Sequence, residues 1–141
     1  MKYKEIILLL LFAMLLVHCD EEVPFPQVKV DFTLDLNDPE YRTLLSVGSV
    51  ATVVGGSRGI ILKRTGYDTF SAFDQHCTYD PDDKNAKVSL EEGGISFAIC
   101  ESCKTKYNLY FGNVEEGPGS YPLVDYRAVF YPNSNRLRVY N

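Results

Sequence analysis

Residues 28–36 alternate apolar and polar side chains one by one, and this pattern limits the possible fold more than any other stretch. A period of two puts every apolar side chain on one face of a β-strand, whereas a helix repeats every three or four residues. The stretch therefore predicts a half-buried strand. Its apolar positions are Val28, Val30, Phe32, Leu34 and Leu36.

Further short runs rich in β-branched and aromatic residues follow, separated by turns that contain glycine or proline. They lie at residues 50–54, 60–64, 69–73, 88–90, 95–99, 107–111, 123–131 and 137–140. No long helical period occurs, and residues 37–45 suit either a short helical turn or a plain loop. About eight short strands predict an all-β fold, a small antiparallel sandwich or barrel.

The N-terminus has the features of an export signal. Lys2 and Lys4 precede an apolar run at residues 6–17, which is long enough for a signal-peptide core of about 7–15 residues and too short for a spanning helix of about 20. The run ends at His18-Cys19, and this arrangement resembles a bacterial lipoprotein signal. We expect residues 1–18 to be removed and Cys19 to carry the lipid; an ordinary signal peptide or a short uncleaved anchor are the alternatives.

Residues 19–27 read as an extended tether, with an acidic run at residues 20–22 and prolines at positions 24 and 26. The acidic run fits either a surface-display signal or a solvated tether. Residues 28–141 then form one β domain. The expected partner is the membrane, through the lipid anchor, and the expected location is the bacterial cell envelope, on a periplasmic or a surface-exposed face.

Charge and residue content argue against two classes of function. The chain has a formal net charge of -5 and no cluster of Lys and Arg, so we expect no nucleic-acid partner. His76 is the only histidine after the predicted leader, and no Ser, His and Asp constellation is visible. The sequence therefore predicts a protein that is not an enzyme.

Three cysteines remain after the leader, at positions 77, 100 and 103. An exported domain meets an oxidising compartment in which disulfides persist, and three thiols cannot all pair. The leader has lysines and no paired arginines, which predicts export as an unfolded chain. A metal cluster assembled in the cytosol would not survive that route.

From residue 59 to residue 140 the chain resembles a Rieske domain. The resemblance rests on Ala72-Phe73 shortly before Cys77, on Cys100 at the start of a second loop, and on residues 117–126, Gly-Pro-Gly-Ser-Tyr-Pro-Leu-Val-Asp-Tyr. It implies a small all-β fold in which two loops at one end hold a two-iron, two-sulfur cluster. Each loop of the family supplies one Cys and one His, as Cys-x-His and Cys-x-x-His.

Cys77 and Cys100 match the two cysteine ligands of that pattern, but Tyr79 and Cys103 occupy the two histidine positions. The two imidazole ligands raise the reduction potential of a Rieske cluster above that of an all-Cys cluster, so their loss removes this effect. A fourth ligand would have to be Tyr79, His76 or a group from outside the domain. His76 adjoins Cys77, so in an extended loop its side chain should point the opposite way, and a lone loop histidine is more often solvated.

Three interpretations of the cysteines stay open. A disulfide from Cys77 to Cys100 or Cys103 would staple the loops of a binding or structural domain that holds no metal. A two-iron, two-sulfur cluster on the three thiolates and Tyr79 would make an electron-transfer protein. Zinc on the three thiolates and His76 would make a metal-binding module. The missing histidines and unfolded export favour the first.

Overall fold

The computed structural model describes residues 25, 26 and 28–141. The predicted signal peptide, the lipidation site Cys19 and most of the tether therefore lie outside the described residues. No helix in the described part of the chain is long and apolar enough to cross a bilayer.

Ten short strands, all paired antiparallel, confirm the all-β prediction for the described residues. The first five strands are β1 (Asp31–Asp35), β2 (Val50–Val53), β3 (Ile60–Arg64), β4 (Phe70–Asp74) and β5 (Val88–Leu90). The other five are β6 (Phe97–Cys100), β7 (Lys106–Asn108), β8 (Val114–Glu116), β9 (Arg127–Tyr131) and β10 (Arg136–Tyr140).

The strands form three small sheets, with the orders β1-β10-β9, β2-β3-β4 and β5-β6-β7-β8. The first strand pairs with the last, from Asp31 opposite Tyr140 to Asp35 opposite Arg136, so this sheet closes only when the whole domain is present. The other two sheets are built from strands adjacent in sequence.

The sheet β2-β3-β4 lies between two hydrophobic cores. Ile60 and Leu62 of β3 point into a core shared with β1 and β10. Ile61, between them, points into a second core, which contains Cys77 and Cys100. Successive side chains of a strand point to opposite faces of the sheet, so a strand that is buried on both faces needs a continuous apolar run. Residues 60–62 supply such a run. The candidate ligands are thus part of a packed core.

The structure differs from the sequence-based expectation in number and detail. Ten strands occur instead of about eight, and β8 was not predicted because its Val-Glu-Glu sequence carries no β signal. The helical turn within residues 37–45 is a 3-10 helix at Arg42–Leu45, which buries Leu44. Gly55, Gly56 and Gly59 form the turn between β2 and β3, as predicted, and all three have positive φ.

Candidate metal centre

Three cysteines from two loops meet at one end of the second core. Cys77 follows β4, directly after a bridge between His76 and Lys87. Cys100 is the last residue of β6, and Cys103 lies in the turn that leads into β7. The two loops are 26 residues apart at Cys77 and Cys103, and packing of the second core brings their sulfurs together.

The three Sγ atoms lie within 4.8 Å of one another, and the Sγ atoms of Cys77 and Cys103 are 3.5 Å apart. Cys77 and Cys100 are fully buried, whereas Cys103 is partly exposed. All three are free thiols in the structure. The cysteines named as candidate ligands from the sequence thus form one cluster, which the partly exposed Cys103 connects to solvent.

The turn at Cys100-Glu101-Ser102-Cys103 directs backbone N–H groups at sulfur. The N–H groups of Ser102 and Cys103 bond to the sulfur of Cys100, and that of Thr105 bonds to the sulfur of Cys103. The turn closes with a bond from the N–H of Lys104 to the carbonyl of Cys100, at 3.0 Å, and Lys104 has a φ of 62°. N–H donors stabilise negative charge, so these groups favour the thiolate forms, although burial opposes them.

The thiols of Cys100 and Cys103 differ in acidity. Burial, with the neighbouring thiol of Cys77, raises the pKa of Cys100 from 9.0 to about 12. Burial also acts to raise the pKa of Cys103, but its hydrogen bonds with the side chain and the N–H of Thr105, and with the other two thiols, outweigh burial and leave that pKa below its usual value. Cys103 is therefore the thiol that ionises more readily, and a bound cation would have to displace the proton of Cys100.

A short chain of hydroxyl groups lies against the other side of Cys77. The hydroxyl of Tyr107 is 3.6 Å from the Sγ of Cys77 and 3.1 Å from the Oγ1 of Thr78. Thr78 in turn donates to the carbonyl of Tyr121, at 2.7 Å. Burial raises the pKa of Tyr107 well above its ordinary value, so its hydroxyl remains protonated and can donate to a thiolate at Cys77.

The loop that begins at Gly117 packs directly onto the cysteine turn. The N–H of Gly119 donates to the Oγ1 of Thr105, at 3.1 Å, and the same oxygen is 3.1 Å from the Sγ of Cys103. A Cβ at Gly117 would lie 2.7 Å from the Cα of Thr105, and one at Gly119 would lie 2.7 Å from its Cγ2. Both glycines are needed for this close approach.

His76 does not join the cysteine cluster. Its Nε2 lies 2.8 Å from the carbonyl of Pro81 and its Nδ1 lies 2.8 Å from the hydroxyl of Ser57, so both ring nitrogens have partners on the far side of the loop. These contacts agree with the prediction that the side chain of His76 points away from that of Cys77. The expectation of a solvated histidine is wrong, because His76 is 4% exposed.

Tyr79, the other candidate fourth ligand, is 52% exposed. A solvent-facing phenol keeps most of its hydration, which an ion would have to displace, so Tyr79 is poorly placed to act as a ligand. Among the described His, Cys, Asp and Glu side chains, the group whose ligand atoms converge consists of the three cysteines.

Sequence patterns missed the residue that organises the first of the two loops. The buried carboxylate of Asp74 accepts bonds from the backbone N–H groups of Ser57, Arg58 and His76, and from the hydroxyl of Tyr126 at 2.7 Å. It fixes the path of the chain just before Cys77. An aspartate near a strand end has no local signal for such a role, since its partners come from three separate segments.

A two-iron cluster, which the Rieske resemblance implies, does not fit this donor set. Such a cluster divides four ligands between two irons, so ligands on different irons lie farther apart than ligands on the same metal. Here only three cysteine ligands converge among the described residues, and all three are close enough to serve one ion.

No family model matches the chain, and no curated protein matches it. Among solved structures, a chain from a complex of reduced oxygenase and oxidized ferredoxin in carbazole 1,9a-dioxygenase is similar, with a TM-score of 0.49 and 17% sequence identity. The match covers 82% of this chain and 94% of that chain. A likeness at this level assigns the chain to no family.

Proposed function

We propose that this protein is a non-catalytic, metal-binding domain of Rieske type, tethered to a membrane of the bacterial cell envelope. Cys77, Cys100 and Cys103 hold one metal ion as thiolates, and zinc is the ion that suits them best. The observation that carries the proposal is the convergence of three sulfurs within 4.8 Å, on a turn whose N–H groups face them.

The spacing of the sulfurs favours a single ion. Zn–S bonds of about 2.3 Å in a tetrahedral arrangement put neighbouring sulfurs about 3.8 Å apart. The Sγ atoms of Cys77 and Cys103 are 3.5 Å apart, so bringing the set to that geometry requires only small rotations. If the chain is exported unfolded, a single ion can bind after export. A cluster assembled before export could not be carried across by an unfolded chain.

Three thiolates leave one coordination position of a tetrahedral ion for a ligand from outside the described residues. Zinc sites with three protein ligands keep such a position for water or a bound molecule. His76 is held between Ser57 and Pro81, so it cannot act as a general base beside the ion. This supports a role in binding rather than in catalysis.

The test is metal and acid-labile sulfide content, measured on protein exported to its native compartment and purified without air. One equivalent of zinc and no sulfide is expected for the intact chain. Cys103→Ser should lose the metal, whereas Ser102→Ala, a change in the same turn that spares the sulfurs, should retain it. Two irons and two sulfides per chain would replace the proposal with an electron carrier. A metal-free protein with three free thiols would overturn both.

A disulfide between Cys77 and Cys103 is a second candidate, favoured by their 3.5 Å separation. The bond would close a loop of 26 residues and stabilise the domain by roughly 2–4 kcal/mol. It would leave Cys100 as a buried thiol in a binding or structural domain without metal. One titratable thiol among residues 77, 100 and 103, after denaturation without reductant, would establish this state and exclude the three-thiolate site.

A further inference from the structure

Phe25, near the end of the predicted tether, packs against the loop that covers the cysteine turn. Phe25, only 6% exposed, packs its ring against that of Tyr121 in an edge-to-face arrangement, with the ring centroids 6.0 Å apart. Tyr121 belongs to the loop that covers the cysteine turn. Its carbonyl accepts the hydroxyl of Thr78, the residue next to Cys77. The chain therefore enters the domain at the end that carries the thiols.

The distance from this entry point to the predicted lipid is short. Five residues lie between Cys19 and Phe25, which makes six steps along the chain. A fully extended chain covers at most about 3.3–3.6 Å per step, or about 20 Å in total. A globular domain of about 100 residues has a radius of gyration near 13 Å, so the width of the domain exceeds the length of this part of the tether. The domain cannot turn its opposite end toward the bilayer while Phe25 is docked.

We propose that the cysteine-bearing end of the domain faces the lipid surface to which Cys19 anchors it. The inference rests on the lipid anchor in the proposed function. The groups that meet the headgroup region are Tyr79 and Tyr121, which are 52% and 43% exposed. Tyrosine suits this place, because its ring has an apolar body and a polar tip and concentrates at membrane interfaces.

The orientation defines what reaches the metal. Cys103 is the partly exposed member of the cluster, and its sulfur lies 3.5 Å from that of Cys77, two residues before the exposed Tyr79. A molecule that binds at the fourth coordination position, or that exchanges the ion, therefore approaches through the space between the domain and the bilayer. Membrane-bound partners have access to this space, whereas large soluble proteins are hindered.

A tryptophan reporter can test the orientation, because the chain contains no tryptophan of its own. Tyr79→Trp places the reporter at the cysteine end. Tyr131→Trp places it at the turn between β9 and β10, at the end of the β1-β10-β9 sheet that is remote from the tether. Both tyrosines are about half exposed, at 52% and 47%, so they make a matched pair.

The full-length lipidated variants are reconstituted in phosphatidylcholine vesicles that carry a nitroxide-labelled quencher lipid. We expect several times stronger quenching for Tyr79→Trp than for Tyr131→Trp, and a smaller difference when Phe25→Ala frees the tether. Equal quenching of both reporters, or stronger quenching of Tyr131→Trp, would overturn the orientation.

Vesicle flotation and the metal content of the same preparations separate the possible failures. Protein that floats with the vesicles, contains zinc and shows equal quenching disproves the orientation alone. Protein that does not float, and whose Cys19→Ala variant fractionates as the parent does, disproves the lipid anchor and the orientation with it. Protein that floats without zinc disproves the metal site and leaves the quenching comparison valid.

Discussion

Thr105 joins the cysteine turn to the loop above it. Its Oγ1 accepts from the N–H of Gly119 and lies 3.1 Å from the Sγ of Cys103, and its own N–H also faces that sulfur. The side chain is fully buried. The thiol of Cys103 donates to this hydroxyl, and once the thiol ionises the hydroxyl can rotate and donate to the thiolate, so Thr105 favours the thiolate form of Cys103.

Thr105→Val keeps the shape and removes the hydroxyl. We expect the pKa of Cys103 to rise, and iodoacetamide to alkylate the metal-free folded protein several times more slowly at neutral pH. Because Cys77 and Cys100 are fully buried, alkylation of the folded protein reports Cys103. Zinc affinity should fall by about 10–100-fold, as for the loss of other groups that orient a metal ligand. Thr105→Ser retains the hydroxyl and should restore both properties; a valine variant that behaves like the parent would contradict the role.

Among the elements, the loop that begins at Gly117 depends most on close backbone contact. Gly117 has a φ of 100°, and the space for its missing side chain is occupied by the backbone of Thr105. Backbone atoms cannot move aside as the end of a side chain can. The loop therefore either keeps glycine at this position or shifts away from the cysteines.

Gly117→Ala should lower the free energy of unfolding by at least about 1 kcal/mol more than Gly93→Ala. Gly93 also has a positive φ, of 67°, but nothing lies within 4 Å of its missing Cβ, so this control carries the conformational strain without the clash. Urea unfolding of both variants measures the difference. Equal losses would mean that the loop tolerates the added methyl group by moving.

Asp74 links β4 to the segment that carries Tyr126, so Tyr126→Phe tests its network without introducing a buried unpaired charge. The change removes the donor that lies 2.7 Å from the carboxylate, and should cost about 1–3 kcal/mol. Tyr131→Phe, at an exposed site, should stay within about 0.5 kcal/mol of the parent. If Tyr126→Phe loses as little stability as Tyr131→Phe, the hydrogen bond of Tyr126 to Asp74 does not stabilise the fold.

On the scale of the whole molecule, burial of ionisable groups in two cores makes stability depend on pH. Burial raises the pKa of Cys100 to about 12 and raises the pKa values of Tyr107 and Tyr126 above their usual range. Each group stays protonated in the folded state at a pH where the unfolded chain ionises. Its stabilising contribution is complete below the unfolded pKa and is lost as the pH rises toward the folded value.

The metal-free protein should therefore lose stability above about pH 9, first through Cys100 and then through the two tyrosines, by at most about 1.4 kcal/mol per pH unit for each group. Cys103 has the opposite sign: its contribution is present above the unfolded pKa and is lost as the pH falls through its lowered folded value. The contribution of Cys103 alone cannot offset the losses from Cys100 and the two tyrosines. Urea midpoints at a series of pH values test this, and a flat or rising profile through the alkaline range would contradict it.

Local patterns predicted much of this protein because strand formation leaves a local signal. The alternation at residues 28–36 predicts β1, and the turn glycines at 55, 56 and 59 mark the end of β2. β8 escaped prediction, because a strand of three residues with two glutamates forms through pairing with β7 rather than by propensity. The cysteines could be singled out as ligands from residue type alone.

The fold class, the turns and the identity of the three thiols could be predicted from local sequence, since each of these depends on neighbours along the chain. Only the tertiary structure decided that the thiols lie within one ion's reach, that His76 turns toward Ser57 and Pro81, and that Phe25 lies beside Tyr121. Apart from the contact of His76 with Pro81, five residues along the chain, these contacts join segments that are distant in sequence. Their geometry follows from how two cores pack around one central sheet, and no local pattern encodes that packing.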